Sequence, residues 1–130
     1  MDRRVKVHQL FLGICVVALG GCATLDQRPK EQQVQERAQA RWDLLVKGDV
    51  KGAYEYSSPG TKAVMSQEQF ASSIRTGFWK AVKVEKVVCE SETSCDAQLL
   101  VDYEFRGSPI RTPSKETWVK EGSTWWYLRK

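Results

Sequence analysis

The sequence predicts an α+β domain in which three amino-terminal helices pack on a curved antiparallel sheet of about four strands. Two observations carry this. Apolar residues recur at helical spacing up to Gly77 and alternate at strand spacing after it. The helical and strand segments are also segregated rather than interleaved, which is the order expected when helices cover one face of an antiparallel sheet. At 130 residues, with no internal repeat, one domain is the natural expectation.

The first helix is read in EQQVQERAQARWDLLVKGD, where Val34, Ala38, Trp42 and Leu45 form one stripe and Gly48 ends it. The second is capped by Asp49 and turns Val50, Ala53 and Tyr54 inward, until Pro59-Gly60 breaks it. The third opens at Ser66, with Gln69 three residues on as a capping box, and stops at Gly77. Strand character then begins weakly through Val82, Val84 and Val88. It becomes clear in CDAQLLVDYEF, with Cys95, Ala97, Leu99, Val101, Tyr103 and Phe105 on one face. RGSPIRTP reads as a turn region, and SKETWVKEGSTWWYLRK as two strands joined at Glu121-Gly122.

The amino terminus has another character. Arg3, Arg4 and Lys6 precede a short apolar run, Leu10–Gly21, that holds three glycines. A basic start, a short apolar core and small residues describe a secretory signal. Twelve residues are too few to cross a hydrocarbon core about 30 Å thick. The four residues Leu19-Gly20-Gly21-Cys22 resemble the lipobox of bacterial lipoproteins. That resemblance implies cleavage before Cys22, a diacylglycerol thioether on its sulfur and acylation of the new amino terminus. More than one acyl chain makes a stable anchor. Ordinary signal cleavage, leaving Cys22 as a free thiol, is the competing reading. Ala23 in place of aspartate implies, by resemblance to the enterobacterial sorting pattern, the outer membrane with the domain in the periplasm. Residues 1–21 are thus expected to be the signal, 22–31 the lipidated cysteine and a polar tether, and 32–130 the domain.

Cleavage would remove Arg3, Arg4, Lys6 and Asp2, so the net charge falls from +4 to about +2. The remaining charges are well mixed, and nucleic acid is not an expected partner. The membrane, through Cys22, and an envelope protein are. Cleavage also removes His8, the single histidine, and with it the usual base of Ser-His-Asp and Cys-His chemistry. Of four cysteines, Cys15 leaves with the signal and Cys22 takes lipid. Cys89 and Cys95 then form an even pair in an exported chain, which reads as a disulfide across a polar hairpin loop, ESETS. Metal or redox chemistry is the alternative for this pair, but the two further ligands zinc needs are missing.

The stretch RWDLLVKGDVKGAYEYSSPGTK, then SQEQFASSI and the closing ETWVKEGSTWWYL, resemble the NTF2-like (cystatin-like) superfamily over roughly residues 32–130. The resemblance implies a cone-shaped sheet around one long helix, open as a pocket in some members and filled in others. Aromatic residues would line or fill it, and Trp42, Tyr54, Tyr103, Trp118, Trp125 and Trp126 are the candidate contacts. Trp125 and Trp126 are adjacent in a strand and so face opposite ways. Superfamily enzymes place an acid or base inside the cone. Here alternation puts Asp102 and Glu104 outside, and Asp43 and Asp49 lie at helix ends. No catalytic residue, cofactor or metal site is expected. The expected function is a non-catalytic envelope interaction module; a carrier or sensor of a small apolar ligand is the alternative.

Overall fold

The computed structural model describes residues 26–130; the segment expected to be the signal, and Cys22, the expected lipidation site, lie outside the described residues. Helix α1 spans Lys30–Lys47, α2 Val50–Tyr54, α3 Pro59–Val64 and α4 Gln67–Ser72. Strands β1 Trp79–Ser91, β2 Ser94–Phe105, β3 Ser108–Glu121 and β4 Thr124–Leu128 follow, paired antiparallel in chain order.

Among the described residues, four helices stand where three are expected. Ser58-Pro59 starts a helix rather than ending one. Ser58 accepts the amide of Thr61 at 3.1 Å, and Pro59 sits in the first turn, where its missing N–H has no partner to lose. Gly48 ends α1 as expected, in the left-handed conformation at φ 84°. Gly77 does not end a helix. α4 stops at Ser72, and Gly77, at φ 79°, turns the chain into β1. The capping box of Ser66 and Gln69 is formed in both directions.

The strands differ from expectation in three places. In β1 an extra residue between Val84 and Lys86 shifts the register. Val87 therefore turns inward beside Val82 and Val84, and Val88 is exposed. The segment 108–113 is strand, not turn; only Arg106 and Gly107 make the bend. Pro109 and Pro113 are tolerated because β4 pairs β3 only along Thr117–Glu121. The rest of β3 is an edge, where a missing N–H costs no ladder bond. The ESETS loop is likewise mostly strand, with Glu92-Thr93 as its turn.

α1 lies across the inner face, on β1 above all. The core joins Val34 and Ala38 of α1 to Val82, Val84, Ala97, Leu99, Trp118 and Trp125 of the sheet. A second cluster ties Leu45 to Ala53, Tyr54 and Phe70 of the short helices. The sheet edges are managed by side chains and loops. Gln39 of α1 donates to the Val82 carbonyl at 2.8 Å and accepts from the Val84 amide at 2.9 Å, standing in for a strand beside β1. The segment 56–58 does the same for β4: the Tyr127 amide donates to the Tyr56 carbonyl and the Ser58 amide to the Tyr127 carbonyl.

Candidate functional site

Two features stand out from the packing: a buried ion pair between α1 and the sheet, and partly exposed aromatic residues at one end of the sheet.

The ion pair follows from two periodicities. Glu116 is two residues before Trp118 on β3, so both face the helix. Arg41 lies three residues after Ala38 and four before Leu45, on the buried stripe of α1. Arg41 and Glu116 meet at 3.2 Å, with side chains 3% and 7% exposed. Both oxygens of the carboxylate are engaged. Its Oε2 accepts from Arg41 and, at 3.0 Å, from the Trp42 indole; its Oε1 accepts from the Trp118 indole at 3.0 Å. The Arg41 guanidinium also sits 3.7 Å from the centre of the Tyr127 ring. Burial pushes the Glu116 carboxyl above its ordinary range, against the pull of Arg41 and the two indoles. The alternation that makes Trp118 an inward residue also marks Glu116. Reading its charge as a surface signal is what hides it.

The aromatic cluster lies where β2 and β3 run on past α1. Phe78 stacks on Tyr103, centres 4.8 Å apart and planes 24° apart. Trp79 meets Phe78 edge-on and then Trp42, so the aromatic contacts run inward to the Glu116 carboxylate. Phe78 is 38% exposed and Phe105 54%.

The sequence-predicted contact residues do not converge on one pocket. Trp42 and Trp118 hold Glu116. Tyr54 is buried in the second cluster and donates to the Met65 carbonyl at 2.7 Å. Tyr103 belongs to the exposed cluster. Trp125 is buried, whereas Trp126 is half-buried between the Arg37 and Lys62 cations, 5.6 and 5.3 Å from its ring. The Cys89–Cys95 disulfide is formed, between residues directly opposite one another, with Cα atoms 3.8 Å apart. That is closer than the usual 4.4–6.8 Å.

The surface hollows are shallow and dispersed. One of about 510 Å³ opens on the outer sheet face beside Leu100, Pro113 and Lys115. Another, of about 290 Å³, lies near Lys80, Tyr103 and Ile110. A third, of about 160 Å³, touches Glu116 and Tyr127 at the end of β4. None of these three is lined by Trp42, Tyr54, Trp118, Trp125 or Trp126.

No protein-family model matches the chain, and no curated protein matches it either. Solved structures do. A protein from Campylobacter jejuni named as an NTF2-like transpeptidase is 19% identical, with a TM-score of 0.52, over 73% of this chain and 96% of that one. The chain has an NTF2-like fold. Two SEC-C motif containing proteins share the architecture. One, from Psychrobacter arcticus, is 12% identical at a TM-score of 0.62, over 80% of this chain. The chain spans 63% of that protein's length. The other, from Rhodopseudomonas palustris, is 10% identical at a TM-score of 0.57, over 72% of this chain and 73% of that one. At these identities the likeness is one of fold. In this version of the NTF2-like fold, large side chains occupy the space between α1 and the sheet: Trp118 and Trp125 are 0% and 1% exposed.

Proposed function

We propose that the chain is a bacterial envelope lipoprotein, anchored by lipid on Cys22 in the outer membrane and facing the periplasm. Its NTF2-like domain holds a partner and turns over no substrate. The observation that carries the binding reading is the aromatic end of the sheet, where Phe78, stacked on half-buried Tyr103, is 38% exposed and Phe105, two residues beyond Tyr103, is 54% exposed. Exposed aromatic side chains grouped at one place are the composition of an interaction surface. The inward carboxylate does not favour catalysis, because both oxygens of Glu116 are already held by donors of the domain itself. The anchoring reading rests on the lipobox-like residues before Cys22.

Mass spectrometry of the protein extracted from membranes should find an amino-terminal, acylated Cys22, and Cys22→Ser should release or leave unprocessed the chain. An unmodified Cys22 would end the anchoring reading. A photoreactive analogue placed at Phe105 of the anchored protein should give a discrete adduct in cells. Its absence there and at Phe78, with lipidation intact, would end the binding reading.

A further inference from the structure

We infer that the tip of the β2–β3 hairpin docks an acidic protein segment carrying an apolar side chain, and that it does so on the side of the domain away from the membrane. This rests on the lipoprotein reading above and adds the chemistry of the partner and the direction from which it comes.

The direction follows from where the chain enters the domain. Arg28 lowers the Asp26 carboxyl to about 2, with a smaller contribution from Lys120 near the end of β3. Lys30 pairs with Glu92 in the β1–β2 turn at 2.6 Å. Gln33 donates to the Arg28 carbonyl at 2.6 Å and holds the entering chain against α1. The amino-terminal end of the domain therefore lies beside the β1–β2 and β3–β4 turns. The β2–β3 tip lies at the other end of β2, twelve residues away, or about 40 Å at roughly 3.3 Å per residue. Cys22 is four residues before Asp26 in the sequence, a reach of at most about 14 Å. The anchor thus holds the turn end near the bilayer, and at that end Asp26 and Glu92 are already paired with Arg28 and Lys30.

The chemistry follows from the tip. Arg75 and Lys80 flank the Phe78–Trp79 pair, and Arg106 lies over the Phe105 ring at 5.2 Å. None of these three cations is in an ion pair among the described residues. Of the two nearby carboxylates, Asp102 is already held by Arg111 at 2.6 and 2.9 Å, which leaves Glu104. The tip is thus apolar with an excess of free positive charge, which complements a carboxylate-rich segment.

The backbone adds an independent argument. Arg106 has φ 49° and Gly107 φ 76°, the conformation of a two-residue hairpin turn that favours Asn-Gly. Arg106 is the one described residue other than glycine at positive φ. Strain of this kind is retained where the side chain serves a purpose beyond the turn. The recognition is by side chains and not by strand addition, because Pro109 and Pro113 interrupt the donors of the neighbouring β3 edge.

The test uses the acylated protein in detergent micelles. It is titrated with three synthetic peptides, in which one phenylalanine is flanked by glutamates, by glutamines or by lysines, and in parallel with phosphatidylglycerol vesicles. The glutamate peptide should shift the amide resonances of Phe105, Arg106 and Phe78 and bind about tenfold tighter than the glutamine peptide, with the preference lost at high salt. Arg106→Asn, which suits the turn better, should keep or raise the melting temperature while weakening the glutamate peptide about fivefold. Equal binding of all three peptides, no binding of any, or a tip that responds to vesicles instead would overturn the inference. Those results leave the wider binding reading standing if the Phe105 photo-adduct forms in cells. Loss of that adduct as well removes both.

Discussion

The two halves of β2 obey the same alternation and meet different fates. Cys95, Ala97, Leu99 and Val101 face inward and are 0%, 0%, 3% and 8% exposed. Tyr103 and Phe105 continue on the same face, yet Tyr103 is only half-buried and Phe105 is 54% exposed. The difference is the cover. α1 lies over the first half with Val34 and Ala38; past Val101, Tyr103 packs at the margin of that core and stacks on Phe78, and Phe105 extends beyond it. Alternation says which way a side chain points. It says nothing of whether another element reaches it.

The largest effects belong to the covered half. Arg41→Met leaves a buried carboxylate and Glu116→Leu a buried guanidinium, and each should cost about 3–5 kcal/mol in urea unfolding. The double variant should return to within about 1 kcal/mol of the parent or exceed it, since apolar replacement of a buried pair is often neutral or stabilising. A double variant as unstable as either single one would mean that the pair is needed for the packing of Trp42 and Trp118. The pH dependence sharpens the same comparison. Burial raises the Glu116 carboxyl in the folded state above its unfolded value. Its protonated form is therefore favoured by folding. That stability is full below the unfolded value near 4.5 and is lost as pH rises through the raised folded value. Between pH 4 and pH 7 the parent should lose stability relative to the double variant. Movement the other way would show that Arg41 and the indoles outweigh burial.

A middle-sized effect is expected at the turn end of the same strands. The Cys89–Cys95 bond closes a sequence separation of six residues. So short a ring stabilises by about 2 kcal/mol in the chain-entropy model. Reduction by a thiol should shift the urea midpoint by that order and leave far-ultraviolet circular dichroism unchanged. A collapse of the spectrum on reduction would show that the bond holds the register of β1 against β2, not only the turn.

Much of this was legible in the residues. The helix stripe through Val34, Ala38 and Leu45, the capping box at Ser66 and the inward face of β2 all rest on local periodicity, and local periodicity survives folding. What was hidden depends on neighbours. Pro113 breaks no strand because β4 is too short to reach it. Val88 turns outward because one residue of β1 bulges. Glu116 is buried because Arg41 comes from a helix 75 residues earlier to meet it. The exposed cluster was half legible. Tyr103 and Phe105 were placed on the right face, but only the three-dimensional extent of α1 shows that the face is open there.

The smallest stability effect is expected at the uncovered tip, and it decides whether the comparison is right. Phe105 is more than half exposed and lies next to a two-residue turn. Phe105→Ser should therefore change unfolding stability by no more than about 0.5 kcal/mol, the usual range for surface positions. The folded state loses little burial, and the cation–π contact with Arg106 is worth under about 1 kcal/mol where water reaches it. The same change should abolish the photo-adducts formed from Phe78. A loss of more than about 2 kcal/mol would place Phe105 in packing that the end of β2 does not otherwise show, and the two halves of the strand would no longer differ in kind. A small stability change with binding lost would separate the halves by purpose. One half would then hold the fold, and the other would be bare because its cover is another molecule.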